Sequence, residues 1–222
     1  MRRTPLLKRA GACNDRAMAD VDLPLLALHG LAVKKAGDPG AVATVIAADP
    51  AAIEAALEAA IAGGHAVGAR GKFMVTPSGR EWLVEQYPTA FADFRAAPAA
   101  TEAYERFERV NRRLLELFTD WQMMPVGNER VTNDHSDADY DHGIIDRLGD
   151  QHERALKILA DFEALDARLG AYARRLDTAY DNVLAGQTDW VSGARIDSYH
   201  PVWFELHEDL LRMLGREREE AP

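Results

Sequence analysis

The chain is 222 residues long, 47% hydrophobic and 28% charged, with a formal net charge of −10. That is enough for one large or two small domains with packed cores, and too apolar for a disordered chain. A single cysteine, Cys13, excludes an intrachain disulfide and a cysteine-built zinc site. No run of about 18 apolar residues offers a transmembrane helix, so a cytoplasmic protein with no membrane partner is expected.

The charge is uneven. Residues 1–90 carry 10 basic against 9 acidic side chains, and residues 91–222 carry 16 against 27. An acidic C-terminal half repels nucleic acid, so any DNA contact must come from the N-terminal half. Residues 1–17 are basic, through Arg2, Arg3, Lys8, Arg9 and Arg16, without a secretory apolar core. They read as a disordered extension, with a basic DNA arm as the alternative.

Leu23 to Lys35 predicts a first helix, stopped at Gly37. Asp38-Pro39 and Asp49-Pro50 each pair an N-cap residue with a proline at the first helical position. They start helices over about 39–47 and 50–62, the latter with Ile53, Leu57 and Ile61 facing inward. The short gap between them fits a helix-turn-helix. Residues 65–69 and 72–75 form a predicted hairpin around Arg70-Gly71, and Thr76-Pro77 starts a fourth helix carrying Trp82, Leu83 and Tyr87.

In this order of elements, residues 23–87 resemble the winged helix-turn-helix of MarR-type bacterial regulators. The segment from Lys72 to Leu83, KFMVTPSGREWL, is similar to the strand and "LTPxGRxxL" ending of many such wings. The segment from Asp197 to Leu211, DSYHPVWFELHEDLL, is similar to helical C-terminal regions of actinobacterial proteins grouped with regulators. The resemblance implies a homodimer that binds double-stranded DNA and responds to a small-molecule effector.

The second half runs through helical stripes with steps of three and four. One helix runs from Thr101 to about Trp121. A polar loop spans 122–139, and a second helix follows over about 140–163. A third carries Leu165, Leu169, Tyr172, Leu176, Ala179 and Val183, a loop spans 186–196, and a last helix runs over about 199–214. The expected fold is mostly α: a winged helix-turn-helix over 18–90, then an antiparallel helical bundle over 99–218.

DNA readout depends on the second helix of the motif, whose outward face here holds alanines, Glu54 and Glu58. The cations nearby that could touch phosphates are Lys34, Lys35, Arg70, Lys72 and Arg80. Up-down packing would place Trp121, Tyr140, His142, Trp190, Tyr199, His200 and Trp203 around one end of the bundle, an aromatic and histidine-rich place for a small effector. Helical spacing equally fits core positions for Trp203 and Trp121. Asp139, His142 and Asp146 share a helix face, but no tight metal motif is present, and none of the common nucleotide or nucleophile motifs occurs. The expectation is therefore a regulator without metal, cofactor or enzymatic activity. The alternative is an accessory subunit that uses the same module for protein contact.

Overall fold

The computed structural model describes residues 21–217, so the expectation for residues 1–17 lies outside the described residues. The chain is mostly helical with two small antiparallel sheets. Helix α1 (Leu23–Lys34) buries Leu25, Leu28, Leu31 and Val33, and His29 with them. Helix α2 (Pro39–Ile46) starts where the Asp38 carboxylate accepts the Ala41 N–H at 2.8 Å. Helix α3 (Pro50–Ala62) starts the same way, with Asp49 accepting from Ala51 and Ala52. Each such cap stabilises a helix by about 1 kcal/mol. α2 and α3 turn through 111° across three residues.

Strands β1 (Ala66–Ala69) and β2 (Lys72–Val75) pair with Ala66 opposite Val75 and Ala69 opposite Lys72. Both turn residues, Arg70 and Gly71, have positive φ, 52° and 73°. That is the backbone of a two-residue hairpin turn matching strand twist. Phe73 also exchanges backbone hydrogen bonds with Gly37, tying the α1–α2 connection to the hairpin.

Helix α4 (Pro77–Ala90) begins with Thr76 accepting the Gly79 N–H at 3.0 Å. A β-carbon on Gly79 would stand 2.0 Å from the His65 carbonyl oxygen, so only glycine allows this contact between helix and hairpin. Ile61, expected to face inward, is 39% exposed: the buried stripe of α3 is Ile53, Ala56 and Leu57, and the last turn runs past the core.

The short α5 (Ala92–Ala96) leads into α6 (Pro98–Gln122), which starts three residues before Thr101. Part of the expected 122–139 loop is a hairpin of β3 (Met123–Val126) and β4 (Glu129–Thr132), turning at Gly127. Its strands are mostly exposed on both faces, so no apolar alternation marked them in the sequence. Helix α7 (Ala138–Leu165) follows. The expected third stripe is broken at Asp166, which accepts from the Arg168 N–H and sets a 3₁₀ turn (Ala167–Leu169) before α8 (Gly170–Leu184). A one-turn α9 (Asp189–Ser192) interrupts the second expected loop, and α10 (Tyr199–Leu214) closes the chain.

Paired residues give the directions of the long helices. Arg106 meets Asp161 and Asp120 meets Arg147, so α6 and α7 run antiparallel. α8 turns back on α7 through a short connection, with His152 meeting Asp177. Arg168 meets Asp209 and Arg175 meets Glu205, so α10 reverses again, and Asn111 meets Trp203 while Glu108 meets His207, so α10 returns antiparallel to α6. One continuous apolar core joins these helices to α1–α4. Each large side chain fully buried there, such as Phe107, Phe162 or Leu28, contributes about 1.5–3 kcal/mol.

Candidate functional site

The junction of α1, α8 and α10 is held by buried charge. α10 is an apolar helix interrupted by Glu205 and Asp209, one turn apart on its buried side. Asp209 is fully buried and takes a fork from Arg168, with Nη1 on Oδ2 and Nη2 on Oδ1 at 3.0 Å. Tyr172 donates its hydroxyl to Oδ2 at 2.8 Å. The His29 Nε2–H donates to Oδ1 at 2.8 Å, and the Tyr87 hydroxyl lies 3.0 Å from His29 Nδ1.

Burial alone would push the Asp209 carboxyl up, but Arg168 and the surrounding donors hold it far below the ordinary carboxylate range. Burial pushes His29 down against the pull of Asp209, so the imidazole is neutral and Arg168 is the ionised partner. The Tyr87 hydroxyl then donates to Nδ1, and burial raises that phenol to about 12.

One turn earlier on α10, Glu205 receives Lys34 Nζ at 2.7 Å and Arg175 Nη2 at 2.6 Å. Asp197 pairs with the same two cations, at 3.5 and 3.1 Å. Two carboxylates of α10 thus grip α1 through His29 and Lys34, and grip the α8 region through Arg168 and Arg175. Beside this clasp, a cavity of about 470 Å³ opens between α2 and α8, lined by Thr44, Ala47, Arg175, Thr178, Trp190 and Asp197 among others. Arg175 Nη1 is buried with no hydrogen-bond partner. The cavity therefore has an indole, two hydroxyls and the Arg175 side chain in its wall, the mixture of apolar wall and few polar groups that suits a small ligand.

Of the seven expected effector residues, Trp190 borders this cavity. Trp121 is buried with its ring 4.5 Å from His135, and Tyr140 donates to the Asp120 carbonyl oxygen at 3.0 Å. His142 is exposed. Tyr199 is fully buried beside His152, and Trp203 stacks on Phe107 and donates to Asn111. His200 packs on Phe118, and burial lowers its pKa. The α6 end of the molecule is instead a polar lock. Asn133 and His135 bind the two oxygens of Asp141, while Arg130 and Arg147 bind Asp120.

The expected phosphate contacts are mostly spent within the chain. Lys34 is in the clasp, and Lys35 lies over the Phe204 ring at 4.9 Å. Lys72 binds Asp38 at 2.7 Å, and Arg80 donates to the Val75 carbonyl oxygen. Arg70, at the hairpin tip, has no such partner among the described residues. The outer face of α3 presents Glu54 and Glu58, and the exposed Val67 and Met74 face each other across the hairpin.

Sequence reasoning missed His29, Arg168, Arg175, Glu205 and Asp209. The available signal was chemical: a histidine inside the apolar run of α1, and two carboxylates one turn apart in an apolar stripe of α10, each demand buried partners. Among the described residues, no group of three or more His, Cys, Asp or Glu side chains is arranged to hold a metal ion. No single helix among them is long and apolar enough to cross a membrane. Comparison with protein-family models, with curated proteins and with solved structures finds no match.

Proposed function

We propose that this chain is a ligand-responsive regulatory or accessory protein, built as a winged helix-turn-helix joined to an antiparallel helical bundle, and that its α3 and hairpin face contacts a protein rather than duplex DNA. The turn between α2 and α3, 111° over three residues, falls within the range of a helix-turn-helix and supports the first part of this reading. The observation that carries the second part is the state of the cations. Four of the five expected to meet phosphates already have partners within the chain, Lys35 and Lys72 at exposed positions, and the helix that would enter the groove offers Glu54 and Glu58. DNA affinity rests on cations free to neutralise phosphates, and Arg70 alone of those five, among the described residues, supplies little. Exposed carboxylates on α3 and the exposed apolar Val67 and Met74 on the hairpin suit a partner with both apolar and basic groups.

The cavity between α2 and α8 is the effector site in this reading. An anionic ligand that draws the Arg175 guanidinium into the cavity competes with Glu205 and Asp197, which hold its Nη2 and Nε. Glu205 is also the group that holds Lys34 of α1, so occupancy changes the grip between the two halves of the chain. That differential contact is what a ligand needs in order to shift a conformational equilibrium.

Fluorescence anisotropy tests the reading, using duplex DNA from the protein's own upstream region beside a scrambled control at about 50 and 200 mM salt. The expected result is no sequence-dependent binding. Tight binding that prefers the upstream sequence overturns the protein-contact reading and makes the chain a DNA-binding regulator. A partner captured by the native chain and lost with Glu54→Lys/Glu58→Lys supports it.

A further inference from the structure

The C-terminal half is strongly acidic, yet one groove in it is lined by cations alone. Arg106, Arg109 and Arg113 fall at steps of three and four on α6, and Arg154 and Lys157 face them from α7. Val110 and Ile158, both buried, form the floor. The groove holds about 450 Å³, and no carboxylate lines it. Arg106 is paired with Asp161 at its outer end, at 2.7 Å, and Arg154 touches Gln151 at 3.5 Å. Arg109, Arg113 and Lys157 make no hydrogen bond or ion pair among the described residues.

Like charges gathered over an apolar floor repel one another, and a bound polyanion relieves that repulsion. Guanidinium groups match phosphate oxygens with paired N–H donors, which an isolated ammonium cannot do. The size is that of a small-molecule site. Its ends also argue for a compact ligand: past Arg113, Glu116 and Asp150 line the adjoining depression with Arg147, which is already paired with Asp120, and Asp161 stands at the other end. A long polyanion such as a nucleic acid backbone would have to run over those carboxylates.

We propose that the groove between α6 and α7 binds a compact, multiply charged phosphate ligand, a polyphosphate chain either free or carried by a nucleotide. This site is separate from the α2–α8 cavity and does not depend on the function proposed above.

Isothermal titration of the full chain with inorganic tripolyphosphate, with ATP and with a 20-base-pair duplex, at about 50 mM salt, tests the assignment. Tripolyphosphate is expected to bind one to one. Arg109→Glu/Arg113→Glu should weaken it about tenfold or more, because charge-assisted hydrogen bonds become repulsions. Both positions are exposed, so folding is unaffected. Arg112→Glu reverses one charge on the same helix but outside the groove lining, half the change of the double variant, and should change affinity by less than about threefold, since exposed charges at a distance are screened. Tighter binding of ATP than of tripolyphosphate assigns the nucleotide form, and equal binding assigns the free chain. No binding of either overturns the proposal. So does equal weakening by Arg112→Glu, which reduces the effect to diffuse charge. Tighter binding of the duplex through the same arginines overturns it in favour of nucleic acid.

Discussion

Replacing Asp209 with alanine removes the one anion that Arg168, His29 and Tyr172 all donate to. The aspartate is fully buried and its guanidinium partner is 6% exposed, so water cannot replace the lost contacts. Breaking a buried pair by deleting one partner costs about 3–5 kcal/mol, chiefly because the other charge is left stranded. The stranded hydroxyl and imidazole N–H add to the cost, but all three act as one network and their penalties do not sum. Against a typical total stability of about 5–15 kcal/mol, this change puts the fold at its margin. Urea unfolding at pH 7, followed by far-UV circular dichroism and by tryptophan fluorescence, measures it. With a slope near 2 kcal/mol/M, the midpoint should fall by about 2 M. Adding Arg168→Met to Asp209→Ala should recover at least about 1 kcal/mol, since no fully buried charge is then left unpaired and Asp166, the other neighbour of Arg168 at 3.5 Å, keeps access to water. A loss below about 1 kcal/mol for Asp209→Ala, or a further loss on adding Arg168→Met, would refute the reasoning that the pair governs this junction.

His29 ties stability to mild acid. Burial holds its pKa below the ordinary 6.5, so the unfolded chain takes up the proton first; its contribution is complete above that value and is lost as pH falls below it. His29→Gln should flatten the dependence of the urea midpoint between pH 7 and 5, with His152 and His200, also depressed by burial, supplying what slope remains. An unchanged slope counts against a neutral buried His29. Gly79→Ala should cost about 1–3 kcal/mol, because the new methyl group meets the His65 backbone rather than a side chain that can turn away. Thermal unfolding checks this, and a neutral result means that the hairpin yields easily. The exposed Lys72–Asp38 pair should matter little: Lys72→Met is expected within about 1 kcal/mol of the native chain, whereas Asp38→Ala also removes a helix cap and should cost about 1 kcal/mol more.

Local chemistry alone determined the N-terminal elements. Asp38, Asp49 and Thr76 cap the helices that begin beside them, because a short oxygen-bearing side chain and a following proline satisfy the first turn wherever they occur. Arg70-Gly71 turns the hairpin for the same kind of reason, and the apolar periods of α6, α7 and α10 placed those helices within a few residues. The β3–β4 hairpin was not legible, since it buries almost nothing, and neither was the break at Asp166, where one side-chain hydrogen bond redirects an apolar stripe.

The candidate sites were decided by tertiary structure. Lys34 has the same local sequence whether it faces a phosphate or Glu205, which lies 171 residues away. Tyr199 and Trp203 were recognisable as large and apolar, but whether they line a pocket or fill the core depends on which helix packs opposite. Asp209 stands in an apolar stripe and so demands a buried partner, but which one is set only when α1 and the turn before α8 bring His29 and Arg168 to its two oxygens. Caps and turns act over three or four residues and can be read along the chain. Buried charge is stable only with partners from other elements, so its position and its role exist only in the folded protein.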